Sequence, residues 1–167
     1  GFTVTALEKK IHHKYDISSG LSIKLSGIAD RIDTLPDGTL QVIDYKSGYQ
    51  PHLEFNSIET LFTGSAKQRI SNIFQTLLYS MVLHKNEGVN TMPSLFYASR
   101  MINDSYSPII KELDNKIDIT CYSLVANDFE ARLKALLDEL FDPSTPFRQV
   151  EDRDTCTRCD YNRICRR

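Results

Sequence analysis

Three charged residues fall where charge is poorly suited to the local structure. Asp30 lies in Gly27-Ile28-Ala29-Asp30-Arg31-Ile32-Asp33, and Asp44 and Lys46 lie in Ile43-Asp44-Tyr45-Lys46-Ser47-Gly48. Asp and Lys are poor strand formers, yet both segments otherwise carry the apolar residues of strands. Asp44 and Lys46 are two apart, so on a strand they share a face. The turn residues Pro36-Asp37-Gly38 fold one segment back on the other. Cross-strand neighbours on one face lie about 5 Å apart, which brings Asp30 within reach of the other two. Two carboxylates and a backbone carbonyl are the hard oxygen ligands that Mg2+ or Mn2+ takes. A lysine beside them can orient or deprotonate a water, or hold a phosphate oxygen. A bare D-x-K is otherwise an ordinary solvated ion pair. Here Leu40, Val42 and Ile43 mark a buried strand, and charges at the end of such a strand need partners.

Two other groups are candidates for chemistry. Cys156, Cys159 and Cys165 crowd into the last dozen residues as C-x2-C-x5-C, while Cys121 stands alone. A disulfide framework belongs to small secreted domains, and this chain is too long and core-rich for one. The trio therefore reads as a metal or cluster site short of one ligand, with a zinc knuckle or reduced thiols as equal readings. Gln75 and Tyr79 are spaced i, i+4, so on a helix they share one face. His12, His13, His52 and His84 read as ordinary polar residues.

The elements that must position these residues follow from periodicity. Residues 2–17 and 21–35 alternate as strands, Pro36-Asp37-Gly38 turns the chain, and residues 40–46 form a short strand. Residues 49–64 show no period, and a loop of that length is usually functional or mobile. Ile70, Ile73, Phe74, Leu77, Leu78, Met81 and Val82 make one apolar helical face over 65–85, with Gly88 as its stop. Strands are expected at 94–99, at 109–110 and over 117–125. Asn127 or Asp128 is expected to cap a helix carrying Phe129, Leu133, Leu136, Leu137 and Leu140, ended by Asp142-Pro143. The tail from Thr145 reads as irregular. This order describes a mixed α/β or α+β domain with a central sheet and few helices.

The 167 residues are room for one domain with a short appendage, and 41% apolar composition suffices for a core. A formal charge of −2 removes the simplest argument for a nucleic-acid binder, though not local basic faces. No apolar run approaches the roughly 18 residues of a membrane span. The chain starts at Gly1 without a start methionine or signal pattern, and reads as part of something larger.

G-I-A-D-R-I-D followed by V-I-D-Y-K-S-G resembles the RecB/AddB-like branch of the PD-(D/E)XK nuclease superfamily. The resemblance spans residues 8–167. It implies a restriction-endonuclease-like core, a central mixed sheet flanked by helices. It further implies that Asp30 and Asp44 hold Mg2+ or Mn2+, with the Tyr45 carbonyl as a backbone ligand and Lys46 as the catalytic lysine. Gln75 and Tyr79 match the branch's Q-x-x-x-Y motif near the substrate. Cys156, Cys159 and Cys165 resemble the last three ligands of a four-cysteine [4Fe-4S] clasp whose fourth cysteine lies upstream. Arg148, Arg153, Arg158, Arg163, Arg166 and Arg167 give that tail a basic surface suited to phosphates. Arg31 and Asp33 fit the pattern and are as readily structural as functional. The proline before Asp30 is absent, as is common in this branch.

The expectation is a metal-dependent DNA nuclease, an exonuclease by preference, within a larger cytoplasmic recombination and repair protein with helicase-type domains upstream. Residues 1–147 would be the nuclease core and 148–167 the cysteine tail. Two other classes stay open: a silent DNA-binding module of the same fold, and a zinc-stapled interaction domain.

Overall fold

A computed structural model describes residues 1–48, 53–63, 70–103, 105–146, 148–150, 153–157 and 159–166. A long hairpin comes first, formed by β1 (Thr3–Asp16) and β2 (Ser22–Thr34), which pair antiparallel almost end to end. The expected turn follows, with Gly38 at φ 85° and its N–H donating to Leu35 O at 2.9 Å. That is a conformation a side chain would resist. β3 (Leu40–Lys46) then returns antiparallel to β2, but its ladder is short, from Thr34↔Leu40 to Arg31↔Ile43. Beyond Arg31, β1 and β2 continue as a two-stranded ribbon.

The two-residue strand β4 (Glu54–Phe55) and the helical turn α1 (Thr60–Thr63) lie in the stretch that showed no period. Neither is long enough to leave a periodic signal. Helix α2 (Ser71–Glu87) carries the expected apolar face and stops where Gly88 N–H closes on His84 O at 3.0 Å. The expected first turn of this helix, residues 65–69, lies outside the described residues, as does His52. Strand β5 (Thr91–Tyr97) starts three residues before the expected position and runs parallel to β3, from Leu40↔Thr91 to Lys46↔Tyr97. Its β-branched Thr91 and buried Pro93 carry no apolar signal, which hid the start. The main sheet is thus ordered β1-β2-β3-β5 and is mixed.

A second sheet, β4-β6-β7, uses β6 (Ile110–Glu112) and β7 (Ile117–Ile119). The strand expected over 117–125 ends at Ile119. Residues Tyr122–Leu124 instead form a 3-10 turn, and Cys121 precedes it in extended backbone rather than in a strand. Helix α3 (Ala126–Leu140) starts one to two residues ahead of the expected caps. Val125 is its N-cap residue and no side chain caps it; Asp128 sits in the first turn. Helix α3 packs Phe129, Leu133 and Leu137 inward, and Phe129 meets Phe62, Phe74 and Tyr122 in one aromatic cluster. That cluster joins α1, α2 and α3 over the core built on Ile32, Val42 and Leu95. The tail holds two short helical turns, α4 (Arg153–Cys156) and α5 (Asn162–Cys165).

Candidate active site

Asp30 lies where the β2–β3 ladder ends. Two residues past the last ladder pair, Tyr45 N–H donates to Asp30 Oδ2 at 2.8 Å. A carboxylate is thereby inserted where the two strands part. On β3, Asp44 is only 3% exposed, and Lys46 Nζ stands 2.6 Å from its Oδ2. This contact has ion-pair distance without hydrogen-bond alignment, and no hydrogen bond reaches that oxygen. Burial pushes the Asp44 carboxyl above the usual carboxylate range; Lys46 works against the shift and the Asp30 charge adds to it. The expectation that Asp30, Asp44 and Lys46 approach one another from a hairpin is met by the geometry.

Helix α2 supplies the opposite wall. Lys46 Nζ donates to Gln75 Oε1 at 3.2 Å, and Gln75 Nε2 donates to Tyr79 OH at 2.8 Å. Gln75 and Tyr79 do share a helix face, and that face looks onto the end of β3. Tyr79 also lies against Gly27, where a Cβ would stand 2.4 Å from Tyr79 Cε1. Only glycine leaves room for the ring. One helical turn earlier, Asn72 Nδ2 donates to Tyr97 OH at 3.3 Å. Tyr97 is the ladder partner of Lys46 on β5 and is fully buried. Asn72 and Tyr97 were not anticipated from sequence, although Asn72 is three residues before Gln75 and so on the same side of α2.

Arg31 and Asp33 form a separate pair. Arg31 Nε and Nη2 each donate at 2.7 Å to the two oxygens of Asp33, which is 1% exposed. The same guanidinium reaches Tyr45 OH at 3.3 Å and lies over the Phe2 ring. Its charge state is strengthened chiefly by Asp33. A two-toothed pair of this kind is strong and fixes both side chains in one geometry.

The remaining candidates are not brought together. Cys156, Cys159 and Cys165 are all half-buried, on or beside the two turns of the tail. Among the described residues, no three His, Cys, Asp or Glu side chains converge to hold a metal. His13 Nδ1 contacts Asn86 Oδ1 at 2.9 Å and His84 Nδ1 contacts Val89 O at 2.8 Å, both away from the carboxylates. Arg148, Arg153, Arg163 and Arg166 are exposed, while Arg158 and Arg167 lie outside the described residues. No helix among the described residues is long and apolar enough to cross a membrane.

A paired-carboxylate site with an adjoining lysine, mounted at the parting of two strands in a mixed sheet, is an arrangement with relatives. The family model of the PD-(D/E)XK nuclease superfamily matches residues 1–166. The chain belongs to this superfamily. Its mixed sheet with flanking helices agrees with the restriction-endonuclease-like fold of PD-(D/E)XK proteins. Relatives named as a subunit of an ATP-dependent helicase/deoxyribonuclease, from serotype Ia, V and III strains of Streptococcus agalactiae, are each 31% identical to it over 85 residues. The match covers 51% of the chain and 7% of the relative's length, in keeping with the RecB/AddB-like branch of the superfamily. The chain thus spans a small part of the length of those relatives.

Proposed function

We propose that this chain is the nuclease domain of a larger helicase–nuclease-type protein and hydrolyses phosphodiester bonds in DNA with a divalent cation. The observation that carries the reading is the contact of Lys46 Nζ with buried Asp44, 2.6 Å away, beside a carboxylate set into the strand junction. Burying an aspartate is costly even with a lysine paired to it, and such a carboxylate held at a strand junction points to a ligand. The donor set fits Mg2+ or Mn2+. Such ions are held by one or two carboxylates, with waters and substrate phosphate completing the shell. Asp30 and Asp44 would hold the ion, with the Tyr45 carbonyl as the backbone ligand. The ion would polarise the phosphate and lower the pKa of a bound water.

The chain's own groups have distinct tasks in this reading. Tyr45 N–H fixes the rotamer of Asp30 through Oδ2. Asp44 and Gln75 hold the Lys46 ammonium from two sides, so it is oriented before substrate arrives. Lys46 then stabilises charge developing on the phosphate or assists the attacking water. Gln75 is itself held by Tyr79, and Tyr79 by its seat on Gly27. Nothing in this machinery reads a base edge, and backbone contacts carry no sequence information. Degradation from DNA ends by an exonuclease is the activity that suits it. The core is assigned to residues 1–147 and the cysteine tail to 148–167, with helicase-type domains as partners.

The test is hydrolysis of linear DNA with Mn2+, comparing the parent with Lys46→Ala. The expected loss is at least about 100-fold, the usual cost of removing one group that stabilises developing charge. Equal rates in both proteins, unaffected by a chelator, would remove the enzyme reading.

A further inference from the structure

Outside the site, the ribbon formed by β1 and β2 beyond Arg31 has two very different faces. One is clamped to the helices. Ile11 is buried, Asn86 Nδ2 donates to His12 O at 2.7 Å, and Lys9 pairs with Glu87 at 3.2 Å. The ribbon's tip is fastened to α3: Asp138 accepts from Ser18 N–H at 2.7 Å and Ser18 Oγ at 2.8 Å, and pairs with Lys134 at 2.7 Å.

The other face is exposed and cationic. The register opposes Lys10 to Ile28, His12 to Ser26 and Lys14 to Lys24, so these six alternate residues share one side of the ribbon. All six are exposed. Lys10 and Lys24 have no ion pair among the described residues, and Lys14 has only a loose one, 4.0 Å from Asp16. Glu8 is the other acid nearby on β1. Lys14 directly opposite Lys24 is a like-charge pair, which destabilises a hairpin, and only Asp16 offsets it. A face that is fastened down from behind, yet keeps a repulsive pair in front, suggests a polyanion as its counterpart.

The face looks away from α2, because Gly27, whose Cβ direction meets Tyr79, alternates with Ser26 and Ile28, yet it adjoins the site along β2. Lys24 lies six residues before Asp30 on β2, and Ile28, facing Lys10, lies two before it. At about 3.4 Å per strand residue, these cations are spread roughly 7–20 Å along the strand from Asp30. A nucleic-acid strand rises about 3.4 Å per nucleotide, so the face spans about two to six nucleotides. We propose that the exposed ribbon face, with Lys10, Lys14 and Lys24 as its contacts and His12 between them, tracks the phosphate backbone of the DNA flanking the Asp30–Asp44–Lys46 site, on the side of the ribbon away from α2. The proposal rests on the nuclease reading and adds to it the surface that holds the substrate.

The experiment is fluorescence anisotropy with a labelled single-stranded 30-mer in EDTA, titrated across salt concentrations, alongside Mn2+-dependent hydrolysis. The proteins are the parent, a Lys10→Gln/Lys14→Gln/Lys24→Gln triple variant, and a control triple, Arg100→Gln/Lys111→Gln/Lys116→Gln, with the same change in net charge. Losing three phosphate contacts should make log Kobs against log salt shallower by about 2. Binding should weaken at least tenfold at low salt, and hydrolysis should show a raised KM with kcat at saturation kept. The control triple should stay close to the parent. Relief of the Lys14–Lys24 repulsion should leave the melting temperature of the ribbon variant equal or higher. A single Lys24→Gln, which disturbs least, should still reduce the slope by about 0.7. A parent that binds and cleaves while the ribbon variant keeps its affinity and slope would overturn the track alone, as would equal weakening by both triples. A parent that neither binds nor cleaves would overturn the nuclease reading and the track with it.

Discussion

Tyr79 occupies the space that a side chain at Gly27 would need. The virtual Cβ stands 2.4 Å from Tyr79 Cε1 and 2.7 Å from its hydroxyl. The glycine that opens the G-x-x-D segment and the tyrosine that closes Q-x-x-x-Y are thus one steric unit, separated by 52 positions in the numbering but touching in space. Because Tyr79 OH accepts from Gln75, and Gln75 accepts from Lys46, the unit reaches the site through two hydrogen bonds.

Gly27→Ala should therefore displace the Tyr79 ring. Overpacking of this kind costs about 1–3 kcal/mol, read as a fall in denaturant midpoint, and DNA hydrolysis should fall with it. The loss should be strongly non-additive with Tyr79→Ala, which empties the same space. A double variant as unstable as the sum of the singles would disprove the steric link.

Asp44→Asn tests the cost of burying the site's charge. The folded state holds the Asp44 proton to higher pH than the unfolded chain does. The sign follows: parent stability falls as pH rises from the ordinary carboxylate range through the raised value. Asp44→Asn is spared that fall, so its melting temperature relative to the parent should improve from pH 4 toward neutrality while DNA hydrolysis is abolished. Added Mg2+ or Mn2+ should raise the melting temperature of the parent and leave the variant unmoved. Equal metal shifts in the two proteins would place the ion elsewhere.

Arg31→Ala leaves a carboxylate that is 1% exposed without its bidentate partner. Breaking a buried pair from one side costs about 3 kcal/mol at the low end, a drop on the order of 10 °C in a domain of this size. Arg31→Lys should recover only part, since an ammonium cannot make the two parallel bonds. A catalytic role would instead show as lost hydrolysis at an unchanged melting temperature.

Asp138, which fastens the ribbon tip, gives the opposite pH signature. Lys134 first, then the Ser18 N–H and hydroxyl, hold its carboxyl down at about 2, from an ordinary 3.8. Its contribution is complete above the ordinary value and is lost as pH falls through about 2. The melting-temperature gap between parent and Asp138→Asn should be widest near neutral pH and should shrink between pH 4 and pH 2. A gap that does not change with pH would mean the latch acts without its charge.

Much of the machinery was legible in the linear chain because it is local. The hairpin register follows from a three-residue turn, which fixes Asp30 against β3. Lys46 follows Asp44 by one strand repeat, and Gln75 and Tyr79 lie one helical turn apart. Short elements and helix starts were less legible. Strand β4 and turn α1 are shorter than any period, and α3 begins at Ala126 with no capping side chain for a sequence to display. What the chain by itself determined is which residue types could bind a cation and which faces they share. The tertiary structure alone decided that Asp30 accepts from the Tyr45 amide, that Asp44 is buried, and that Tyr97 pairs with Lys46 across β5 while bonded to Asn72. Each of these depends on where segments distant in sequence come to rest against one another, and spacing along a chain carries no such information.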